Sequence, residues 1–299
     1  IYSLTKLLLS KRISFTSPKK KEIVILDDVG SDNIIPLVKK YDFLILPVRK
    51  DRIKEINLSF PMLKLMVSKF FITKLKNNYL TSIIQLIDPK LVVTFIDNSI
   101  EYYDAAKFFN KKKNFLAIQN ASRVNTLHDN HQKPEMRNRI FHQEYAHFGD
   151  HEKKIYKRNK VVKFFKVGSL RMSYAVNYFK KNKIKINKNK FDICLVSDNA
   201  WGFDKLFNIP GLEDSWGKVY EYTLRYCKKN NKKLAFVSEV NYANKSKYNL
   251  REKEREKKFY KKYLSKYKYK LIPRYAKKYT TYKYVFESKI VIAVITSVL

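Results

Sequence analysis

The chain has 299 residues, 45% of them hydrophobic, and a formal net charge of +36. That length exceeds one ordinary domain, and the apolar content is enough for two conventional cores, so two domains are expected. Of the 63 basic residues 12 are Arg and 51 are Lys, spread along the whole sequence. Arg is the residue suited to bidentate phosphate and base contacts, so this excess reads as a Lys-rich surface and no specific nucleic-acid readout is expected. Its field still attracts anionic substrates or an anionic membrane face.

Cys194 and Cys227 make no disulfide framework, and the longest apolar runs are about half the roughly 18 to 20 residues of a spanning helix. A cytoplasmic protein, with peripheral contact at the inner face of the cell membrane compatible with its charge, is the expectation. The chain opens at Ile1 and stops just behind an apolar run at 290–295, where a helix should follow, so both ends are expected to be artificial.

Short runs rich in Ile, Val and Phe alternate with longer amphipathic stretches, the pattern of repeated βαβ units. In chain order, strands are predicted at 23–26, 43–46, 91–96, 115–118, 145–148 and 161–165. Helices fall between them at 31–40, capped by Ser31, at 60–87 as one broken helix or two, at 98–109 with Asn98 as a cap, and at 150–158. A Lys/Asn-rich stretch at 182–190 reads as a linker or exposed turn. Strands at 191–196, 234–237, 269–272 and 290–294 follow, with helices at 216–230, 251–267 and 279–287. In the helix at 251–267, Phe259, Tyr260, Tyr263, Leu264 and Tyr267 share one face, which reads as a buried face with Lys outside.

In open α/β sheets ligands bind beyond the carboxyl ends of the strands. The residues there are Asp27, Asp28, Arg49, Asp97, Asn98, Gln119, Asn120, Arg123, Gly149 and Asp150, then Ser197, Asp198, Asn199, Glu239, Arg274, Thr296 and Ser297. No GxGxxG fingerprint and no GxxxxGK[ST] loop occurs, which argues against dinucleotide dehydrogenases and P-loop enzymes. No Asp-x-Asp pair is present to hold a divalent cation on a sugar diphosphate. His128, His131, His142, His147 and His151 do not make a zinc-binding pattern, so no metal and no cofactor are expected.

Four runs carry a resemblance: Thr94-Phe95-Ile96-Asp97-Asn98, Ala117-Ile118-Gln119-Asn120-Ala121-Ser122-Arg123, Phe148-Gly149-Asp150-His151-Glu152 and Val167-Gly168-Ser169-Leu170-Arg171. Tyr279-Thr280-Thr281-Tyr282 and the run at 290–299 extend it. Together they resemble a family of surface-carbohydrate biosynthesis proteins akin to GT-B type glycosyltransferases. The resemblance implies an α/β fold of two Rossmann-like lobes with mainly parallel sheets. Residues 1–166 would form an acceptor lobe, 167–190 an interlobe connection, and 191–299 a nucleotide-sugar lobe truncated at its C-terminus. The acidic residue that holds a ribose in such proteins would lie beyond Leu299.

The implied activity is a metal-independent transfer of sugar from a nucleotide-sugar donor to a growing cell-surface polysaccharide or lipid-linked glycan. Without a metal, helix N-termini and basic groups must stabilise the leaving phosphate. Arg274, Thr280, Thr281, Tyr282, Thr296, Ser297, Gly168, Ser169 and Arg171 are the donor-site candidates, with ordinary capping the competing role for Thr280 and Thr281. An acceptor hydroxyl must lose a proton, so Asp97, then Asp28, are candidate bases, with His147 a secondary acid/base group and capping the alternative for Asp97. Asn98, Asn120 and Arg123 could orient acceptor or sugar hydroxyls. The aromatic-rich segment from Trp201 to Trp216 is a weaker ligand-contact candidate. Competing readings are a polyol-phosphate transferase or a nucleotide-sugar epimerase of related fold, a noncatalytic RNA-binding protein, and an inactive scaffold.

Overall fold

The computed structural model describes residues 12–49, 51–69, 75–110, 112–121, 139–156, 160–197, 200–202, 204 and 209–293. The chain divides into two compact units, Ile1–Ser169 and Leu170–Leu299.

In the first unit the elements run β1 (Arg12–Ser14), β2 (Ile23–Leu26), a 3-10 turn (Ser31–Asn33), α1 (Ile35–Val38), β3 (Phe43–Leu46), β4 (Glu55–Asn57), α2 (Phe60–Ser68) and α3 (Leu75–Ile87). They continue with β5 (Leu91–Thr94), α4 (Ile100–Phe108), β6 (Asn114–Ile118), β7 (His142–His147), α5 (Asp150–Ile155) and β8 (Val161–Lys166). Six strands form one sheet in the order β3-β2-β5-β6-β7-β8, and every pairing in it is parallel. β1 and β4 form a separate parallel pair. All four residues of β2, Ile-Val-Ile-Leu, are buried, as a strand covered on both faces requires. Val24, Ile84, Tyr102, Phe115 and Tyr145 anchor the core on one face.

The second unit holds α6 (Leu170–Lys181), β9 (Phe191–Val196), a 3-10 turn (Ala200–Gly202), α7 (Leu212–Lys229), β10 (Leu234–Asn241), α8 (Lys247–Leu264), β11 (Leu271–Arg274), a 3-10 turn (Ala276–Lys278), α9 (Thr280–Phe286) and β12 (Ser288–Ile292). Its sheet has the order β11-β10-β9-β12, again with parallel pairings only. Leu195, Tyr220, Phe236, Phe259, Tyr260 and Leu264 make its main core. Two Rossmann-like parallel α/β units therefore follow one another along the chain.

In both sheets the strand order reverses beside the first strand. The chain lays β3 on one side of β2 and β5 on the other; it lays β10 and β11 on one side of β9 and β12 on the other. Such switch points are where open parallel sheets leave a crevice for ligands. Asp27, Asp28 and Asp97 stand at the first, and Ser197 at the second.

Several local expectations are corrected. The helix expected over 31–40 is a 3-10 turn followed by the short α1, because Gly30 takes a left-handed φ of 76° and the Ser31 hydroxyl donates to the Asp28 carbonyl instead of capping. The stretch 60–87 is two helices. Ser99, not Asn98, caps α4, accepting from Tyr102 N at 3.3 Å; Asn98 is exposed. β7 starts three residues earlier than expected and β11 two residues later, which puts Arg274 inside its strand. The segment after Ser169 contains a helix, α6. Phe259, Tyr260 and Leu264 are buried as the helical spacing predicts, with Tyr263 and Tyr267 packed against them.

Candidate active site

At the carboxyl edge of the first sheet, polar side chains from neighbouring strands are tied together. Asp97, just past β5, is fully buried. Its Oδ2 accepts from the Tyr145 hydroxyl of β7 at 2.8 Å and its Oδ1 from Asn120 N, past β6, at 3.4 Å. Its own carbonyl accepts from the Tyr103 hydroxyl. The cap of α4 is Ser99 and not Asp97, which ties β5, β6 and β7 together near their carboxyl ends. Gln119 Oε1 accepts from Phe148 N at 2.7 Å, closing the next gap along the edge.

His147 ends β7 and is fully buried. Its Nδ1 lies 2.7 Å from the Gly149 carbonyl. A carbonyl can only accept, so Nδ1 carries a proton and Nε2 is the position that can give or take another. Nε2 has no hydrogen-bond partner among the described residues. The turn after β8 folds back here, with Val167 N and Gly168 N donating to the His147 carbonyl at 3.0 and 3.2 Å. Gly168 has a left-handed φ of 73° with open space where a Cβ would stand. Ser169 follows, half-buried.

After β2, Asp27 takes a φ of 74°, rare for a residue with a Cβ. Its Oδ1 accepts from Val29 N, and its Oδ2 pairs with Arg49 at 2.9 Å. Asp28 pairs with Arg52 at 2.9 Å through Oδ2, while its Oδ1 is buried without a partner among the described residues. Held strain of this kind costs about 1–3 kcal/mol and gathers at functional sites.

In the second unit, Arg274 donates through one nitrogen to the carbonyl and the carboxylate of Glu239, both at 2.7 Å. Tyr282 of α9 is buried, and burial pushes its phenol up against the opposing fields of Arg171 and Arg274. Three of the donor-site candidates thus act on one another. Thr281 is buried. Neither Thr280 nor Thr281 caps α9: Tyr279, at a left-handed φ of 50°, holds the cap position without a side-chain bond, and the Thr280 hydroxyl bonds to the Tyr275 backbone. Arg123, Asp198, Asn199, Thr296 and Ser297 lie outside the described residues, as do His128, His131, Phe203 and Phe207. Trp201, described, donates to Glu252 at 2.8 Å.

One arrangement escaped the sequence reading. At the ends of β9 and β10, the buried Glu256 of α8 is surrounded by hydroxyls. Ser238 reaches both its oxygens at 2.7 and 2.9 Å, and Tyr260, Ser197 and Tyr242 lie at 3.3 to 3.4 Å. The Tyr260 hydroxyl also donates to Ser197. Burial raises the Glu256 carboxyl above its ordinary range. The signal was present: Glu252, Glu256 and Tyr260 recur at intervals of four on the face already read as buried.

No protein-family model matches the chain, and no curated protein sequence matches it. Among solved structures it is similar to the UDP-GlcNAc 2-epimerase of Methanocaldococcus jannaschii in complex with UDP-GlcNAc and UDP, at 14% identity over 90% of this chain and 77% of that one, with a TM-score of 0.46. It is also similar to the UDP-GlcNAc 2-epimerase of Neisseria meningitidis bound to UDP-GlcNAc, at 14% identity over 90% and 76% of the two chains, with a TM-score of 0.43. Likeness at this level carries no argument, and the fold assignment rests on the strand order and pairing of the chain itself.

Proposed function

We propose that the protein is an enzyme acting on a nucleotide sugar, with Arg171 and Arg274 of the second unit meeting the phosphate charge. The observation that carries this reading is that Tyr282 of α9 packs against Ala175 and Phe179 of α6, the helix whose first turn holds Arg171, while Arg274 ends β11 just ahead of α9. Cationic groups preset in a partly buried setting stabilise phosphate oxygens with little reorganisation. Thr280 and Thr281 stand next to Tyr282 in sequence, and Thr296 and Ser297, outside the described residues, are kept as donor-site candidates.

On the first unit, His147 is the acid/base group this reading favours, since its Nε2 is uncommitted among the described residues, with Asp28 second. Asp97 positions Asn120 and Tyr145, and Asn98 and Arg123 are left as sugar- or acceptor-orienting residues. Epimerisation of a sugar that stays on its nucleotide is the reaction preferred. It needs a proton taken and returned by fixed groups and no acceptor, whereas the residue expected to deprotonate an acceptor, Asp97, is buried with both oxygens engaged. The motif resemblance points instead to transfer onto a cell-surface polysaccharide or lipid-linked glycan, and one experiment separates the two.

The purified chain is incubated with UDP-, GDP- and CMP-linked sugars, and products are followed by NMR together with free nucleotide. An altered sugar still attached to its nucleotide supports epimerisation, and a new glycoside with nucleotide release replaces it by transfer. Arg171→Ala and Arg274→Ala should each weaken nucleotide binding roughly tenfold or more. Failure to bind any nucleotide sugar at millimolar concentration ends the proposal.

A further inference from the structure

Helix α2 is apolar on its exposed side as well as on its buried one, where Met62 and Met66 join the core. Its polar-side positions carry Phe60, 79% exposed, and Val67, 74% exposed, with Leu63 between them also exposed. At 100° per residue these three and Lys64 fall on one face. The opposite side holds Met62 and Lys69, both buried. Phe15, 73% exposed, extends the patch: Leu58 N donates to the Ser14 carbonyl at 2.8 Å and Asn57 Nδ2 to the Thr16 carbonyl at 2.6 Å, so Phe15 runs beside the residues that lead into α2. Ile13, on the same side of β1 as Phe15, is exposed as well.

The surroundings of the patch are cationic. Lys64 lies within the face, and Arg12 and Lys54 border it through the β1–β4 pair, where Arg12 N donates to the Lys54 carbonyl. Of the eight Lys and Arg in residues 12–21 and 51–69, Arg12, Lys20, Lys21 and Arg52 pair with Glu55, Asp88, Asp42 and Asp28 and Lys69 is buried, which leaves Lys19, Lys54 and Lys64 as the exposed cations of the region. An exposed aromatic and aliphatic stripe with cations in and around it is the composition of a helix lying in a lipid interface, its apolar side chains among the acyl chains and its cations at anionic headgroups. No described helix is long and apolar enough to cross a membrane.

We propose that the α2 face, Phe60, Leu63, Lys64 and Val67 with Phe15 beside it, seats the protein on an anionic lipid bilayer. The inference is independent of the reaction proposed above. A protein of net charge +36 adheres to many anionic surfaces, so the test must separate insertion of this face from general attraction.

The full chain is floated with vesicles of phosphatidylcholine alone and with about 30% phosphatidylglycerol at physiological salt. Binding to the anionic vesicles only is expected, and Phe60→Ser with Val67→Ser should lower the bound fraction about fivefold or more while leaving circular dichroism unchanged. In a separate Phe60→Trp variant, the emission of the introduced indole should shift to the blue on adding anionic vesicles. The proposal is overturned if the double variant binds as well as the parent, which would mean diffuse attraction. It is equally overturned if the indole emission is already blue without lipid, meaning the face is covered by the chain itself, or if the double variant converts a dimer into a monomer, meaning a second copy is the occupant.

Discussion

The Tyr145 hydroxyl donates to Oδ2 of Asp97 across 48 positions of sequence, joining the ends of strands two places apart in the first sheet. Tyr145→Phe removes the donor and leaves a buried carboxylate oxygen short of it. A loss of about 1–3 kcal/mol in unfolding free energy is expected from chemical denaturation. Asp97→Asn should cost a similar amount. Stability unaffected by both changes would show that the network does not hold the strand ends.

Glu256 gives a pH dependence of known sign. Its folded pKa is raised by burial above the ordinary 4.5, so the folded state binds the proton more tightly than the unfolded chain does. The stability it contributes is present below pH 4.5 and is lost as pH climbs through the raised value. Thermal unfolding followed upward from about pH 4 should show this decline, and Glu256→Gln should flatten it. Glu256→Ala, which strands the hydroxyls of Ser238 and Tyr260, should cost about 2–3 kcal/mol.

Lys69 has the opposite behaviour. Burial beneath α2 lowers its pKa to about 8 from 10.5, although Nζ donates to Ser82 at 3.3 Å and lies 5.0 Å from the Phe108 ring centroid. The unfolded chain holds the proton more firmly, so stability rises as pH goes from about 8 to 10.5. Lys69→Met should remove that rise and add on the order of 2 kcal/mol at neutral pH, measured by urea denaturation at about pH 7 and about pH 10.

Gly30 has two reasons to be glycine. Its φ is +76°, and a Cβ would stand 2.6 Å from Cδ1 of Phe95. Gly30→Ala should therefore destabilise by about 2–3 kcal/mol and disturb the turn that carries Asp27 and Asp28. At Gly217, by contrast, the backbone is helical and only the Tyr263 ring stands in the way, so Gly217→Ala should be partly rescued by Tyr263→Leu.

The alternation of apolar runs and amphipathic stretches made the ten strands of the two parallel sheets legible, because strands buried on both faces read as apolar runs, unbroken in β2 and over the last four residues of β9. The pair β1–β4 was not legible: three residues each, with Arg12 and Glu55 among them, leave no periodic signal. α6 falls within the stretch expected to connect the lobes, because a helix that buries only Ala175 and Phe179 gives a weak periodic signal ahead of the Lys/Asn-rich run at 182–190. At the site, the strand-end rule found Asp97, Asn120 and Arg274 by position alone, whereas His147 was a candidate for its near-neutral titration and not for its place on a strand. The rule could not show that Asp97 would be sealed by a tyrosine from another strand, nor that Glu256 would turn inward, because both depend on partners 48 and 18 residues away.

The position of β12 sets the order in which the molecule can be assembled. The first sheet has all its strands once residue 166 has been made, and nothing later in the chain is needed to pair them. In the second, Ser288 pairs with Phe191 and Ile292 with Leu195, so β9 keeps one side bare until the ribosome has released about a hundred further residues. During that interval an apolar strand keeps an unsatisfied edge, the kind of surface through which incomplete chains mispair.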